Sequence, residues 1–295
     1  MRVLIIGATG QLGNDLVREF SDLEVFSAAR KDATLSVDLC LPETVRECVV
    51  ELVRPELVIN AAAAHNVPLC EENPAGAYAV NATGVTRLAE SCREIGARLI
   101  HLSTDYVFGT CGTRPWCEDD LPAPLNVYGA SKLAGEHLLA SACKDHMIVR
   151  SSGLYGMSPC LAKGGKNFVR LMLDLAAERG EVKVVTDEVL TPTHTVALAR
   201  QIRRLAEDGE PGLYHATCRG QCSWNDFAAA IFEETETPVR LLPATKIDFP
   251  SPVRRPSYSV LDNHRLREQG LDMMPEWRES LRHYLDDLRS SGAIR

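Results

Sequence analysis

Tyr128 and Lys132 stand four residues apart in the run Tyr128-Gly129-Ala130-Ser131-Lys132, a spacing that puts both side chains on one face at the start of a helix. A free phenol titrates near ~10, so it needs a neighbouring cation before it can exchange protons usefully near neutral pH, and Lys132 supplies one. Thr104 lies upstream in Ser103-Thr104-Asp105-Tyr106-Val107-Phe108-Gly109, at the carboxyl end of a strand. A hydroxyl there can bond a carbonyl oxygen and steady it as negative charge develops during hydride attack. Each feature also has a plainer reading: Tyr/Lys pairs are common on helix surfaces, and a strand-end threonine often satisfies a backbone group.

Hydride chemistry calls for a dinucleotide. Gly7-Ala8-Thr9-Gly10-Gln11-Leu12-Gly13 follows a β-branched run and opens a helix, where a pyrophosphate meets free N–H groups. Gly7, Thr9, Gly10, Gln11, Leu12 and Gly13 are therefore candidate cofactor contacts, against the alternative of a tight turn made by three glycines. At the end of the second strand Ala28-Ala29-Arg30-Lys31 offers two cations where a carboxylate would otherwise hold a ribose 2′-hydroxyl, which favours NADPH. Arg30 suits a bidentate phosphate contact, with Lys31 as a point charge beside it or simply a solvated loop residue. Asp38-Leu39 can place a carboxylate on adenine or cap the turn ahead of Pro42, and Ala61, Ala62 and Ala63 put small side chains beneath the cofactor.

Such residues must be held at the ends of parallel strands. Strands are predicted at 2–6, 24–27, 57–59, 98–102 and 147–149, alternating with helices at 11–20, 43–53, 74–95 and 128–142. This alternation specifies an α/β fold with a doubly wound parallel sheet, Rossmann-like, followed by a smaller C-terminal substrate-binding lobe. Residues 1–152 are expected to form the NADP-binding domain, with a helix and strand returning near 195–216. Residues 153–295, rich in Gly and Pro and ending in a helix at 276–288, are expected to form mainly the substrate lobe.

Composition agrees with a folded enzyme: 45% hydrophobic and 24% charged residues in 295. A net charge of -8 gives no attraction to nucleic acid or anionic lipid, and no apolar run approaches the roughly 20 residues that cross a bilayer. Gly7 ends the first apolar run too early for a secretory signal. Ten cysteines without a C-x-x-C pair are expected to be reduced thiols in the cytoplasm, and no metal ligands can be assigned.

With these motifs in hand the chain resembles the extended short-chain dehydrogenases, and more narrowly the dTDP-4-dehydrorhamnose reductase family. The resemblance spans essentially the whole chain and rests also on Tyr128 to Glu136 (YGASKLAGE), Arg150 to Gly156 (RSSGLYG), Thr191-Pro192-Thr193 and Arg255 to Asp262 (RPSYSVLD). It implies Thr104, Tyr128 and Lys132 as catalytic triad, NADPH or sometimes NADH as hydride source, and a dTDP-linked 4-keto-6-deoxyhexose as the nucleotide-sugar substrate. The activity implied is a step of dTDP-rhamnose and polysaccharide biosynthesis. Substrate contacts are implied at Thr104, Asp105, Val107, Tyr128, Gly153, Asn167 and Arg255, the last either meeting the diphosphate or, like Arg254, lying on the surface. The chain departs from the family at Asp187-Glu188-Val189-Leu190, which lacks an expected glycine, and at Val67-Pro68-Leu69-Cys70, where an acidic segment is expected. The resemblance also leaves room for a homodimer. Two other functions share the scaffold: an NAD-dependent sugar-nucleotide epimerase or dehydratase, and a non-catalytic regulatory subunit like that of methionine adenosyltransferase.

Overall fold

The computed structural model describes residues 1–109, 112–160 and 164–294. At its centre lies a seven-stranded parallel sheet: β1 (Arg2–Ile6), β2 (Glu24–Ala29), β3 (Leu35–Ser36), β4 (Leu57–Asn60), β5 (Arg98–Thr104), β6 (His146–Ser151) and β7 (Gly212–His215). Their order is β7-β6-β5-β4-β1-β2-β3. Strands such as Val3-Leu4-Ile5-Ile6 and Leu57-Val58-Ile59 are apolar on both faces because helices cover both faces. One face packs on α1 (Gln11–Glu19) and α5 (Thr195–Asp208) through Leu12, Leu16, Phe20, Leu198, Ile202 and Leu205. The opposite face packs on α2 (Val85–Ile95) and α3 (Val127–Ala142) through Val85, Leu88, Cys92 and Leu139.

Winding reverses between β1 and β4, which are neighbours in the sheet although β2 and β3 intervene in the chain. The crevice over their carboxyl ends is where open α/β sheets collect ligands. Two predicted helices differ in detail. The 43–53 segment is an α turn, Pro42–Arg46, running into a π-helical stretch, Glu47–Val53. The 74–95 segment runs from Pro74–Tyr78 through a second π-helical stretch, Ala79–Gly84, into α2. An extra residue per turn does not alter the apolar pattern enough to be seen in the sequence.

After β6 the chain builds a second core around α4 (Phe168–Arg179), α6 (Trp224–Glu234) and α7 (Trp277–Ser290). Its centre is aromatic: Tyr155, Phe168, Trp224, Phe227, Trp277 and Tyr284 meet in stacked, tilted and edge-on pairs. Midway through, the chain returns to the first sheet, where β7 extends β6 in parallel from Gly212↔Met147 to His215↔Arg150. The cysteines described are free thiols; Cys111 lies outside the described residues. Among the described residues no helix is long and apolar enough to cross a membrane.

Candidate active site

Chain direction changes at Gly7, whose φ of +84° suits glycine and whose position leaves no room for a side chain: a Cβ would sit 2.7 Å from Ala62 N. A Cβ on Gly13 would overlap the Gly7 carbonyl oxygen. The turn, the first turn of α1 and the end of β4 are therefore in backbone contact, and Gly7 and Ala8 N–H both donate to Ala28 O at the end of β2. The first N–H groups of α1, from Gln11 to Gly13, have no partner inside the helix, and no acidic side chain occupies that turn. This geometry fits a dinucleotide pyrophosphate, which needs close backbone approach and a helix N-terminus.

Around the turn, Thr9 and Gly10 are half-buried, while the Gln11 amide donates to Gly156 O at 3.3 Å and so ties the turn to the second core. Leu12 has its side chain buried beneath α1, so its N–H is what it offers a ligand. Leu39 likewise packs its side chain in the core, on the far face of the sheet. Arg30 and Lys31 stand exposed just beyond β2. The Asp38 carboxylate accepts from Cys40 N–H at 2.9 Å, as a turn cap does. Ala61, Ala62 and Ala63 are half-buried where β4 meets the turn.

On the other side of the crevice, α3 starts under an Asn126 cap whose side chain accepts from Gly129 N–H at 2.9 Å. Tyr128 and Lys132 share one face of α3, but they meet different partners. The phenol lies beside Thr104 and edge-on to Tyr106, and burial raises its pKa while its hydrogen bond with Thr104 opposes the rise. Lys132 is 1% exposed, and its Nζ donates to Leu102 O at 2.6 Å and lies 3.0 Å from His101 Nε2. Burial pushes its pKa down to about 8, against an opposing pull from Glu136. The Lys132 nitrogen is therefore turned towards the sheet.

The Asp105 carboxylate faces inward. It accepts from Thr104 Oγ1 at 3.1 Å, Ser152 Oγ at 2.8 Å and Ser259 Oγ at 2.6 Å, so it positions Thr104 and leaves any ligand contact to its backbone. Val107 is packed against Phe108 and Leu261, with no side-chain surface for a substrate. Asn167 caps α4 by accepting from Arg170 N–H, and its amide donates to Gly156 O and to the Tyr284 hydroxyl, which uses both N–H groups. Gly153 is half-buried against Leu190 and Pro192. Arg255 is exposed, and its charge acts on both Glu188, in the departing segment, and Tyr106.

Several supporting residues escaped the sequence reading. In the second π-helical stretch, Asn81 donates to Ser131 Oγ and Ala64 O and accepts from Ala64 N–H, joining α3 to the end of β4. Glu136 and Arg150 form a buried pair at 2.6 Å beneath Ser103. Polar residues inside otherwise apolar elements were the available signal for these, and for His101.

A parallel sheet with a glycine turn at its reversal point, and a tyrosine and lysine on the facing helix, define a Rossmann-like oxidoreductase of short-chain dehydrogenase type. The family model described as RmlD substrate binding domain matches residues 1–290, and the chain belongs to that family. It is 38% identical to the dTDP-4-dehydrorhamnose reductase of Escherichia coli strain K12, over 100% of both chains. It is also 38% identical to the spore coat polysaccharide biosynthesis protein SpsK of Bacillus subtilis strain 168, over 98% of this chain and 99% of that one. The crystal structure of dTDP-4-dehydrorhamnose reductase from Bacillus anthracis strain Ames in complex with NADP superposes with a TM-score of 0.89 at 36% identity, covering 97% and 99% of the two chains.

Proposed function

We propose that the protein is an NADPH-dependent reductase of the 4-keto group of a dTDP-linked 6-deoxyhexose, converting a dTDP-4-dehydrorhamnose-type substrate to the dTDP-rhamnose type. The observation that carries this is the pairing of Tyr128 with Thr104, with Lys132 one turn further along the same helix, in a chain that also has the glycine turn and whose full-length relatives carry that reductase name. Residues 1–152, with α5 and β7, form the cofactor half in this reading, and residues 153–295 mainly the substrate lobe. The bound nicotinamide supplies a hydride to C4 of the sugar. Gly10 to Gly13 hold the pyrophosphate at the start of α1, and Arg30 with Lys31 receives the 2′-phosphate. Tyr128 gives its proton to the former carbonyl oxygen, Thr104 orients that oxygen, and Lys132 electrostatically supports the phenolate left behind. Arg255, exposed beside Glu188, receives the substrate diphosphate. A cytoplasmic location belongs to the same reading and is supported by the free thiols. A homodimer rests on the resemblance, and sedimentation of the purified chain decides it.

The test is consumption of NADPH, followed by its absorbance, in the presence of dTDP-4-keto sugars. Tyr128→Phe removes only the hydroxyl, so turnover falls by about 10²–10⁴-fold while NADPH still binds. Near-normal turnover in that variant with saturating keto-sugar would overturn the assignment and favour the regulatory-subunit alternative.

A further inference from the structure

A buried polar array lies behind Lys132. Asn60 and His101 are partners across β4 and β5, so their side chains share the face of the sheet beneath α3. Both are fully buried. The contacts run in one line: Ala62 N–H donates to Asn60 Oδ1 at 3.1 Å, Asn60 Nδ2 lies 3.0 Å from His101 Nδ1, and His101 Nε2 lies 3.0 Å from Lys132 Nζ.

The direction of each bond follows from the fixed end. A backbone N–H can only donate, so it holds Oδ1 and turns the amide nitrogen of Asn60 towards the ring. That nitrogen also only donates, so His101 Nδ1 accepts. A neutral imidazole then carries its proton on Nε2, aimed at Lys132 Nζ. An ammonium has no lone pair to receive it, whereas an amine has one. Charging Lys132 requires the other tautomer, which sets Nδ1–H against the Asn60 amide or, if that amide turns over, sets the amide against Ala62 N–H.

We propose that Asn60 and His101 are positioning residues that govern the charge of Lys132, weakening its hold on its proton and through it setting the pH dependence of reduction. The kinetic part rests on the reductase reading above; the structural part does not. Burial acts in the same direction on both groups, lowering the proton affinity of Lys132 and holding His101 neutral. Of the other ionisable groups around them, Glu136 favours the ammonium but is already held by Arg150. Tyr128 shares the face of α3, and Asp105 and the Cys70 thiol act on Tyr128.

The experiment is long-range proton–nitrogen NMR of histidine-labelled protein without ligand, with His101→Gln identifying the His101 signals among the eight histidines. A neutral ring protonated on Nε2 is expected; a ring protonated on Nδ1, or on both nitrogens, overturns the proposal. Asn60→Asp supplies a carboxylate that accepts from both Ala62 N–H and the ring, which inverts the tautomer and turns a lone pair to Lys132. In that variant the ring is expected to be protonated on Nδ1, and the alkaline limb of kcat to rise by at least about one pH unit, tenfold in proton affinity, with KM for NADPH unchanged. A limb that stays in place, with activity lowered equally at every pH, marks a merely structural role and overturns it too. Should Asn60→Asp not fold, the tautomer in the unmutated protein still decides. The expected tautomer in a protein that reduces no keto-sugar would count against the reductase reading alone.

Discussion

The sheet half and the aromatic lobe are held together by different means. Around the glycine turn the decisive contacts are backbone on backbone: Gly7 against Ala62, Gly13 against Gly7, and two N–H groups on the single carbonyl of Ala28. In the lobe they are side chain on side chain, as Tyr155 stacks on His194 and meets Phe227 and Tyr284. Backbone approach tolerates no added atom, because neither side can change rotamer. Packed rings tolerate swaps that keep their volume better than a change of polarity, since a charge buried among them has no water to compensate it.

Gly13→Ala probes the first kind of contact and should have the largest effect. A methyl group there overlaps Gly7 O and falls 2.7 Å from Ala8 Cα. Overpacking typically costs about 1–3 kcal/mol and more where both partners are backbone. Calorimetry should show a lowered melting temperature and titration the loss of NADPH binding; an unchanged pair of values would mean that the turn is not rigid.

His194 probes the second kind. It is 3% exposed, its Nε2 has no hydrogen-bond partner among the described residues, and burial, with His283 and Arg200 nearby, pushes its pKa down to about 4. In the unfolded chain it titrates near ~6.5, so acid favours unfolding. The stability present above that pH is lost as the pH falls towards 4, on the order of 3 kcal/mol. His194→Phe, which keeps a ring against Tyr155, should flatten the fall in melting temperature over that range. Some fall remains, because His215, in β7, is pushed down to about 3 by burial and Arg150. A slope identical to that of the unmutated protein would show that His194 is not kept neutral by the fold.

Arg30→Ala sharpens the comparison by touching neither scaffold. Arg30 is exposed and outside both cores, so the melting temperature should hold. The preference for NADPH over NADH should fall by roughly tenfold to a hundredfold, the worth of one charge-assisted hydrogen bond at about 1.5–3 kcal/mol. Equal affinities for the two cofactors in the unmutated protein would remove Arg30 from the site.

The same contrast explains which parts were legible in the sequence. Strands and the glycine turn were, because hydrophobic period and glycine spacing report backbone geometry directly. Leu12, Leu39 and Asn167 sit in or beside the right motifs, yet their side chains face cores or cap a helix, and chain position alone does not say which way a side chain points. His101 was missed for another reason. Its partners Asn60 and Lys132 lie 41 and 31 residues away, in a neighbouring strand and a covering helix, so only sheet order brings them together. The aromatic lobe offered least, because irregular ring packing has no period.

The return of β7 to the edge of the sheet bears on how the molecule is made. Asp15, in α1, is bonded to Thr195, 180 residues later, and β6 stays an open edge until His215 has been synthesised. Closing contacts over such separations is slow, and an apolar strand left unpaired invites association with other chains. While the chain is still on the ribosome, the glycine turn, the Tyr128 helix and the strands between them can all be complete in outline before β7 covers the edge of β6. The interval in which residues 151–211 are made is therefore the one in which the nascent protein is most exposed to misassembly.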